Sequence, residues 1–251
     1  MHRVFASLLL VPVVALALAL PASAKKPIRV TWLGHAAFEV VSPGGTTLLI
    51  DPFLTQNPAT PAERKDLAQY KPDAILVTHS HGDHEGDAVA LAKATKAKVV
   101  GAHDHVRKLE IPEEQKLGGN VGGAVAVGDV TVHFVPAMHG STPGGRPLGF
   151  VVRFSDGRSL YHSGDTWIFG DMALIHDLYK PEILLMNAGG GPYTQDPTTA
   201  ALAVKKFFKP KVVVPMHFGT FPPLATKEDV EKAFGKDKRV RVLEIGKAYD
   251  F

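Results

Sequence analysis

Apolar and polar positions change rhythm along this chain, and the changes mark its parts. From Val4 to Leu20 the chain is almost wholly apolar. From Ile28 it breaks into short β-type runs, Ile28–Leu33, Ala37–Val41 and Thr46–Ile50, with Pro43-Gly44-Gly45 as the turn between the last two. Ala74–Val77 is apolar at every position, which fits a strand covered on both faces. Val99-Val100, Val130–Val135, Leu148–Phe154, Ser159–Tyr161, Ile183–Met186, Val212–Val214 and Val240–Leu243 read as further strands. Helical spacing predicts helices over Ala62–Tyr70, Asp87–Thr95, Ile168–Leu178, Thr198–Phe208 and Thr226–Phe234, with a loop over Pro58–Pro61. No repeat, low-complexity tract or linker divides the chain after residue 24. Strand-rich stretches mixed with β-α alternation predict an α/β domain over 25–251, with two sheets and helices on the outside.

The long apolar run belongs to a different element. Met1-His2-Arg3 is a short basic start, and Pro21-Ala22-Ser23-Ala24 supplies small residues ahead of Lys25-Lys26. This is the pattern of a secretory signal peptide over residues 1–24, cleaved after Ala24. An uncleaved anchor is the alternative, because a membrane span needs about 17–25 apolar residues. Pro12 and the small-residue site favour cleavage. The expected protein is therefore periplasmic or secreted, with no stable membrane span once the signal is removed.

Composition narrows the chemistry. With 45% hydrophobic and 21% charged residues over 251 positions, the chain has the make-up of a folded globular protein. Its 28 Lys+Arg against 25 Asp+Glu leave a net charge of +3, so nothing in the charge points to a nucleic-acid partner. There is no cysteine, which removes disulfides, thiolate ligands, a cysteine nucleophile and a lipoprotein anchor together. Histidine, at 12 residues, is abundant. A metal site in this chain has to be built from imidazole and carboxylate.

The stretch Thr78-His79-Ser80-His81-Gly82-Asp83-His84 supplies four such groups just past the buried strand Ala74–Val77. On an extended segment residues two apart point the same way, so His79 and His81 can grip one cation. A turn into helix would aim Asp83 and His84 toward a neighbouring position. Such a string after an apolar strand is far more specific than a lone pair of histidines.

This H-x-H-x-D-H string resembles the signature of the metallo-β-lactamase-fold hydrolases. The later members of that signature are matched by His139 in Pro136-Ala137-Met138-His139-Gly140, Asp165 in Ser163-Gly164-Asp165-Thr166 and His217 in Pro215-Met216-His217-Phe218. Trp32-Leu33-Gly34-His35-Ala36-Ala37-Phe38, Ile50-Asp51-Pro52-Phe53 and Pro215–Pro222 resemble the branch of metal-dependent hydrolases that contains ascorbate-6-phosphate lactonase-like proteins. More distantly, the chain is similar to the N-acyl-phosphatidylethanolamine phospholipase D group. The resemblance implies a four-layer αββα sandwich with two mixed sheets flanked by helices. It implies one metal held by His79, His81 and His139, a second held by Asp83, His84 and His217, and Asp165 bridging both. Two divalent ions are implied, zinc by default and manganese as the alternative.

A hydrolase follows from such a site: two cations make a bridging hydroxide available near neutral pH, and Asp83 orients it and accepts its proton. The expected substrate is a small-molecule or lipid-like ester, lactone or phosphodiester. The family branch places His35 near the metals, as a substrate contact or as a hydrogen-bonded structural residue. Asn187, in the glycine-rich exit Met186–Gly191, is expected to line the substrate pocket. Asp51 reads either as the carboxylate that orients a ligand histidine or as a turn cap before Pro52. Tyr193 and Trp167 are candidates for pocket walls, and His103, His105, His133, His162 and His176 read as surface or packing residues. The competing readings are a non-catalytic periplasmic metal-binding protein, and an RNA-processing nuclease or β-lactamase of the same fold. Export without a basic arm argues against the nuclease, and the Asp165 pattern against the β-lactamase. If the signal reading is right, N-terminal sequencing of protein recovered from the native envelope starts at Lys25. Retained Met1 on membrane-bound material would identify an anchor instead.

Overall fold

In a computed structural model, His2, residues 25–142 and residues 144–251 are described; the signal segment expected over 1–24 otherwise lies outside the described residues. The first half of the chain builds one sheet from β1 (Arg29–Gly34), β2 (Ala37–Val41), β3 (Thr47–Ile50), β4 (Ala74–Val77), β5 (Lys98–Ala102) and β6 (Lys116–Gly119). The second sheet is made of β7 (Ala124–Val127), β8 (Val130–Pro136), β9 (Leu148–Phe154), β10 (Ser159–His162), β11 (Ile183–Asn187) and β12 (Val212–Met216). The last strand, β13 (Ala248–Asp250), returns to the first sheet and pairs antiparallel with β1. The sheet orders are β13-β1-β2-β3-β4-β5-β6 and β12-β11-β10-β9-β8-β7. Both sheets are mixed: β3 to β6 and β10 to β12 run parallel, and the hairpin-connected strands antiparallel.

The period of two along each strand sorts the side chains into layers. Val30, Trp32, Phe38, Val40, Leu48, Ile50, Leu76 and Val100 face the second sheet and pack with its Val132, Phe134, Phe150 and Val152. Their neighbours Leu33, Leu49, Ile75, Val77 and Val99 face the other way, against helix α2 (Ala88–Thr95) through Ala88, Leu91 and Ala92. Strand β4 is apolar at all four positions because it is covered on both faces. On the outer face of the second sheet, α4 (Met172–Tyr179), α5 (Pro197–Phe207) and α6 (Lys227–Phe234) bury Ile175, Ala203, Val204 and Val230. Two short turns, α1 (Gly82–Glu85) and α3 (His103–Val106), complete the helices. The result is the expected arrangement of helices, sheet, sheet, helices. Helix starts follow their local chemistry. Asp196 accepts from the N–H groups of Thr198 and Thr199, and Thr226 and Asp229 form a reciprocal capping box.

Several elements differ from the sequence expectation. Ala62–Tyr70 is no continuous helix but two 3-10 turns, Ala62–Arg64 and Leu67–Gln69; the Asp66 carboxylate accepts from Ala68 N–H and starts the second turn afresh. Val240–Leu243 forms no strand and touches β12 through a single bridge, Val213 with Val240. The other sheet is closed at β1 by β13, a strand the pattern did not show, where Arg29 and Asp250 pair at 2.8 Å. Strand β6 escaped the pattern because Lys116-Leu117-Gly118-Gly119 ends in two glycines, and β7 because Ala124-Val125-Ala126-Val127 is short and alternates valine with alanine.

Glycine in β6 has a packing reason. A Cβ at Gly119 would stand 2.4 Å from the Phe134 ring, which reaches across from the second sheet. Gly119→Ala should therefore destabilise the protein by about 1–3 kcal/mol through overpacking. The measurement is the denaturant midpoint, and adding Phe134→Leu should recover part of the loss. Strictly additive effects would show that the two positions do not share space.

Candidate metal centre

Strands from both sheets end at one edge of the sandwich, and their exits supply the polar residues. His35 follows β1, Asp51 follows β3, and Thr78 to His84 follow β4. His139 follows β8, Asp165 follows β10, Asn187 ends β11 and His217 follows β12. Three of these exits take left-handed backbone at residues other than glycine: His35 (φ 53°), Asp51 (φ 44°) and His217 (φ 69°). Such conformations cost on the order of 1–3 kcal/mol each and persist only where the surroundings fix them. Here the His35 carbonyl is fixed by two donors, Trp32 Nε1 and the His217 backbone N–H, each at 2.9 Å.

The donor atoms gather in three overlapping groups whose members lie within 4.8 Å of one another: His79, His81 and His139; His35, Asp83, His84 and His217; and His79, His84 and Asp165. The first group is the expected first metal set. The second contains the expected Asp83, His84 and His217 and adds His35. Asp165 stands between them, with its Oδ2 at 3.4 Å from His84 Nε2, 3.7 Å from His139 Nε2 and 3.0 Å from His217 Nε2. All seven residues named from the sequence as metal ligands are thus brought together.

Hydrogen bonds fix which ring atoms face inward. Asp51 is fully buried; it takes the Thr78 N–H on Oδ1 at 2.8 Å and the Thr78 hydroxyl on Oδ2 at 2.7 Å. The same Oδ2 is 2.7 Å from His84 Nδ1. With the Nδ1 proton donated to Asp51, the Nε2 lone pair of His84 is left facing Asp165. Asn187 Nδ2 donates to Asp165 Oδ1 at 2.6 Å, while Thr194 donates its hydroxyl to Asn187 Oδ1 at 2.9 Å. Gln195 Nε2 donates to the Asn187 carbonyl at 2.8 Å. His35 Nδ1 lies 2.9 Å from the Thr220 hydroxyl and its Nε2 3.1 Å from Asp83 Oδ2.

One expectation changes here and another narrows. Asn187 was expected to line the substrate pocket, and His35 to be either a substrate contact or a hydrogen-bonded structural residue; both are completely buried behind the carboxylates they touch, which fits the structural reading of His35. His35 is a donor-group member that also holds Asp83, and Asn187 orients Asp165. The sequence signals were a histidine and an asparagine closing buried strands next to glycine; which side of the pocket each would occupy depended on strand packing. The remaining histidines lie outside the donor groups. His162 donates from Nε2 to the Ala36 carbonyl and accepts from Gly164 N–H, His133 packs tilted on Tyr179, and His176 packs edge-on against Phe208.

The electrostatics are those of a place that takes positive charge. Burial disfavours the charged form of His84, yet the Asp165 and Asp51 carboxylates outweigh it and hold the imidazole well above the ordinary histidine value. Burial likewise opposes ionisation of Asp165, and His217 with His84 outweigh it, holding this carboxyl well below its usual range. Away from carboxylates burial wins: His79 is pushed down, and His35 is lowered to about 4, first by burial and then by the neighbouring His217. His84 Nε2 and both ring nitrogens of His217 are buried without an aligned hydrogen-bond partner. Leaving such groups unsatisfied costs about 1–3 kcal/mol each. Divalent cations answer both conditions, because they accept the unpaired nitrogens as ligands and offset the carboxylates. The donor set, imidazole and carboxylate without thiolate, suits zinc, manganese or iron. The residues therefore fit metal.

Above the donors lies a cavity of about 260 Å³, lined by His81, Asp83, His139, Asp165, His217 and the rings of Tyr193 and Phe221. Met138 and Trp167 are joined by a 3.0 Å bond from Trp167 N–H to the Met138 carbonyl, and both are more than half exposed.

Comparison with known proteins agrees with this geometry. Residues 29–217 match the family model described as the β-lactamase superfamily domain. A UPF0173 metal-dependent hydrolase from Anaeromyxobacter dehalogenans is 43% identical over 247 residues, covering 92% of this chain and 89% of that protein. Another from Methanopyrus kandleri is 42% identical over 239 residues, covering 89% of this chain and 100% of that protein. Among solved structures, Igni18, a metallo hydrolase from Ignicoccus hospitalis, superposes with a TM-score of 0.78 at 36% identity, covering 90% of this chain and 98% of that one. With a His/Asp cluster at the shared edge of two mixed sheets, the chain belongs to the β-lactamase superfamily as a metal-dependent hydrolase of the metallo-β-lactamase fold.

Proposed function

We propose that this protein is an exported, dinuclear hydrolase that cleaves an ester, lactone or phosphodiester bond in a small-molecule or lipid-like substrate. The observation that supports it most is the overlap of the donor groups: His79 and His84 each belong to two of them, and Asp165 Oδ2 is within 3.7 Å of imidazoles from both sides. One cation would be held by His79, His81 and His139, and the other by Asp83, His84 and His217, with Asp165 between and His35 holding Asp83. When bound, such cations, zinc by default and manganese as the alternative, supply Lewis acidity and make water acidic enough to act as a nucleophile near neutral pH.

The chain's own residues do the rest. Burial raises the Asp83 carboxyl, but the hydrogen bond from His35 together with the nearby His84 and His35 imidazoles outweighs it and holds Asp83 below the usual carboxylate range. Its side chain is about one-third exposed to the cavity, so it is placed to orient the attacking water and take its proton. Thr220 holds His35, and His35 holds Asp83, which keeps one carboxylate oxygen turned inward. Asp51 and Asn187 fix His84 and Asp165 in the same way. Tyr193 and Phe221 wall the cavity with apolar surface, and the exposed Met138 and Trp167 nearby favour a substrate with hydrocarbon to cover. Export rests on the sequence of residues 1–24.

Elemental analysis of purified protein should give two divalent ions per chain, and His217→Ala should lower that number. One ion per chain, unchanged by His217→Ala, would contradict the dinuclear site. Turnover across ester, lactone, lactam and phosphodiester panels identifies the bond type; full metal with no turnover in any panel would favour a metal-binding role. At matched metal occupancy Asp83→Asn should lower kcat by roughly 10²–10⁴-fold. His103→Ala, outside all donor groups, should stay within a few-fold of wild type. Near wild-type turnover by Asp83→Asn with full metal would remove Asp83 from the mechanism.

A further inference from the structure

A second cavity of about 260 Å³ adjoins the donor pocket, and His139 lines both. Apart from His139, its lining is apolar, Val121 and Met138 among it, with one exception: Arg146. The guanidinium is charged at every working pH. Among the described residues it has no carboxylate within ion-pair reach. The donor pocket is lined by histidines, aspartates, Tyr193 and Phe221, so Arg146, an exposed side chain, is the one lysine or arginine lining the two cavities.

Its backbone is held in place. Gly145 (φ +77°) packs so tightly that a Cβ there would come 2.7 Å from the Ala102 Cβ and 3.2 Å from the His105 Cβ. The Ser141 hydroxyl donates to the Gly144 carbonyl at 3.0 Å. Two residues after Arg146, Leu148 N–H donates to the Thr78 carbonyl at 3.0 Å, and Thr78 directly precedes His79. The segment presenting the arginine is thus tied to the segment presenting the metal donors, which sets a defined spacing between them.

We propose that the substrate is anionic at a point away from the bond that is cut: Arg146 holds a carboxylate or phosphate, and Val121 and Met138 cover the short hydrocarbon between. Arginine suits either anion because its planar fork donates two parallel hydrogen bonds. The inference rests on reading the donor pocket as the hydrolytic centre.

The test is calorimetric titration of the metal-loaded full protein with hexanoate, hexyl phosphate and hexanol. Binding by the metals is common to wild type and Arg146 variants, so the difference between them reports the arginine. At least one anion should bind about tenfold or more tightly than hexanol, and Arg146→Gln should lose about tenfold of that affinity with hexanol unchanged. Arg146→Lys should fall between, and whichever anion shows the larger loss identifies the group recognised. Equal affinities in wild type and Arg146→Gln overturn the proposal, as does the absence of measurable anion binding by wild type. An active enzyme with Arg146-independent binding would sink this inference alone; Arg146-dependent binding without turnover in any bond panel would sink the hydrolytic reading instead.

Discussion

A buried carboxylate with three imidazoles around it, Asp165 with His84, His139 and His217, is the constraint on which the rest of the molecule turns. Desolvating a carboxylate is costly unless positive charge or hydrogen bonds compensate it. Asn187 satisfies one oxygen, and the other is presented to the imidazole side. Every other feature of the centre serves to keep such a group where it is: the left-handed backbone at His35, Asp51 and His217, the Thr78–Asp51–His84 chain, and the Thr194–Asn187 bond. A preorganised site of this kind is bought with local strain, and two covered sheets provide the rigidity that sustains it.

The two-sheet architecture explains how so many donors reach one place. Neither sheet alone holds a complete donor group. The β4 exit in the first sheet gives His79, His81, Asp83 and His84, and the exits of β8, β10 and β12 in the second give His139, Asp165 and His217. The cavity opens where the sheets meet, so a substrate would touch both halves of the chain. Arg146 continues that logic, since its segment belongs to the second sheet and is tied by hydrogen bond to Thr78 of the first.

Much of this was legible in the order of residues, because the information is local. Ala74–Val77 followed by H-x-H-x-D-H states both a buried strand and a donor-rich exit, and His139, Asp165 and His217 each follow a β-type run. The period of two gave most strands, and capping residues such as Asp196 and Thr226 mark helices near their observed starts. Strands β6, β7 and β13 were not legible, since β6 ends in glycines and β7 and β13 run only four and three residues, each held by the neighbour it pairs with. Ala62–Tyr70 looked helical from spacing alone, but Asp66 restarts the chain in its middle.

The sequence by itself determined the donor types, the absence of thiolate and the α/β class, which follow from composition and short-range pattern, while the full set of residues that meet was implied by the resemblance of its motifs to the metallo-β-lactamase-fold hydrolases. Tertiary structure decided what each residue does on meeting the others. It buried Asn187 behind Asp165, decided between the two readings of His35 by burying it behind Asp83, and set Asp51 against His84. It also placed Arg146 across His139 from the donor pocket. These roles depend on which face of a strand exit points into the cavity and on what lies on the facing sheet. That is fixed by packing between segments more than a hundred residues apart, such as Asp83 from His217.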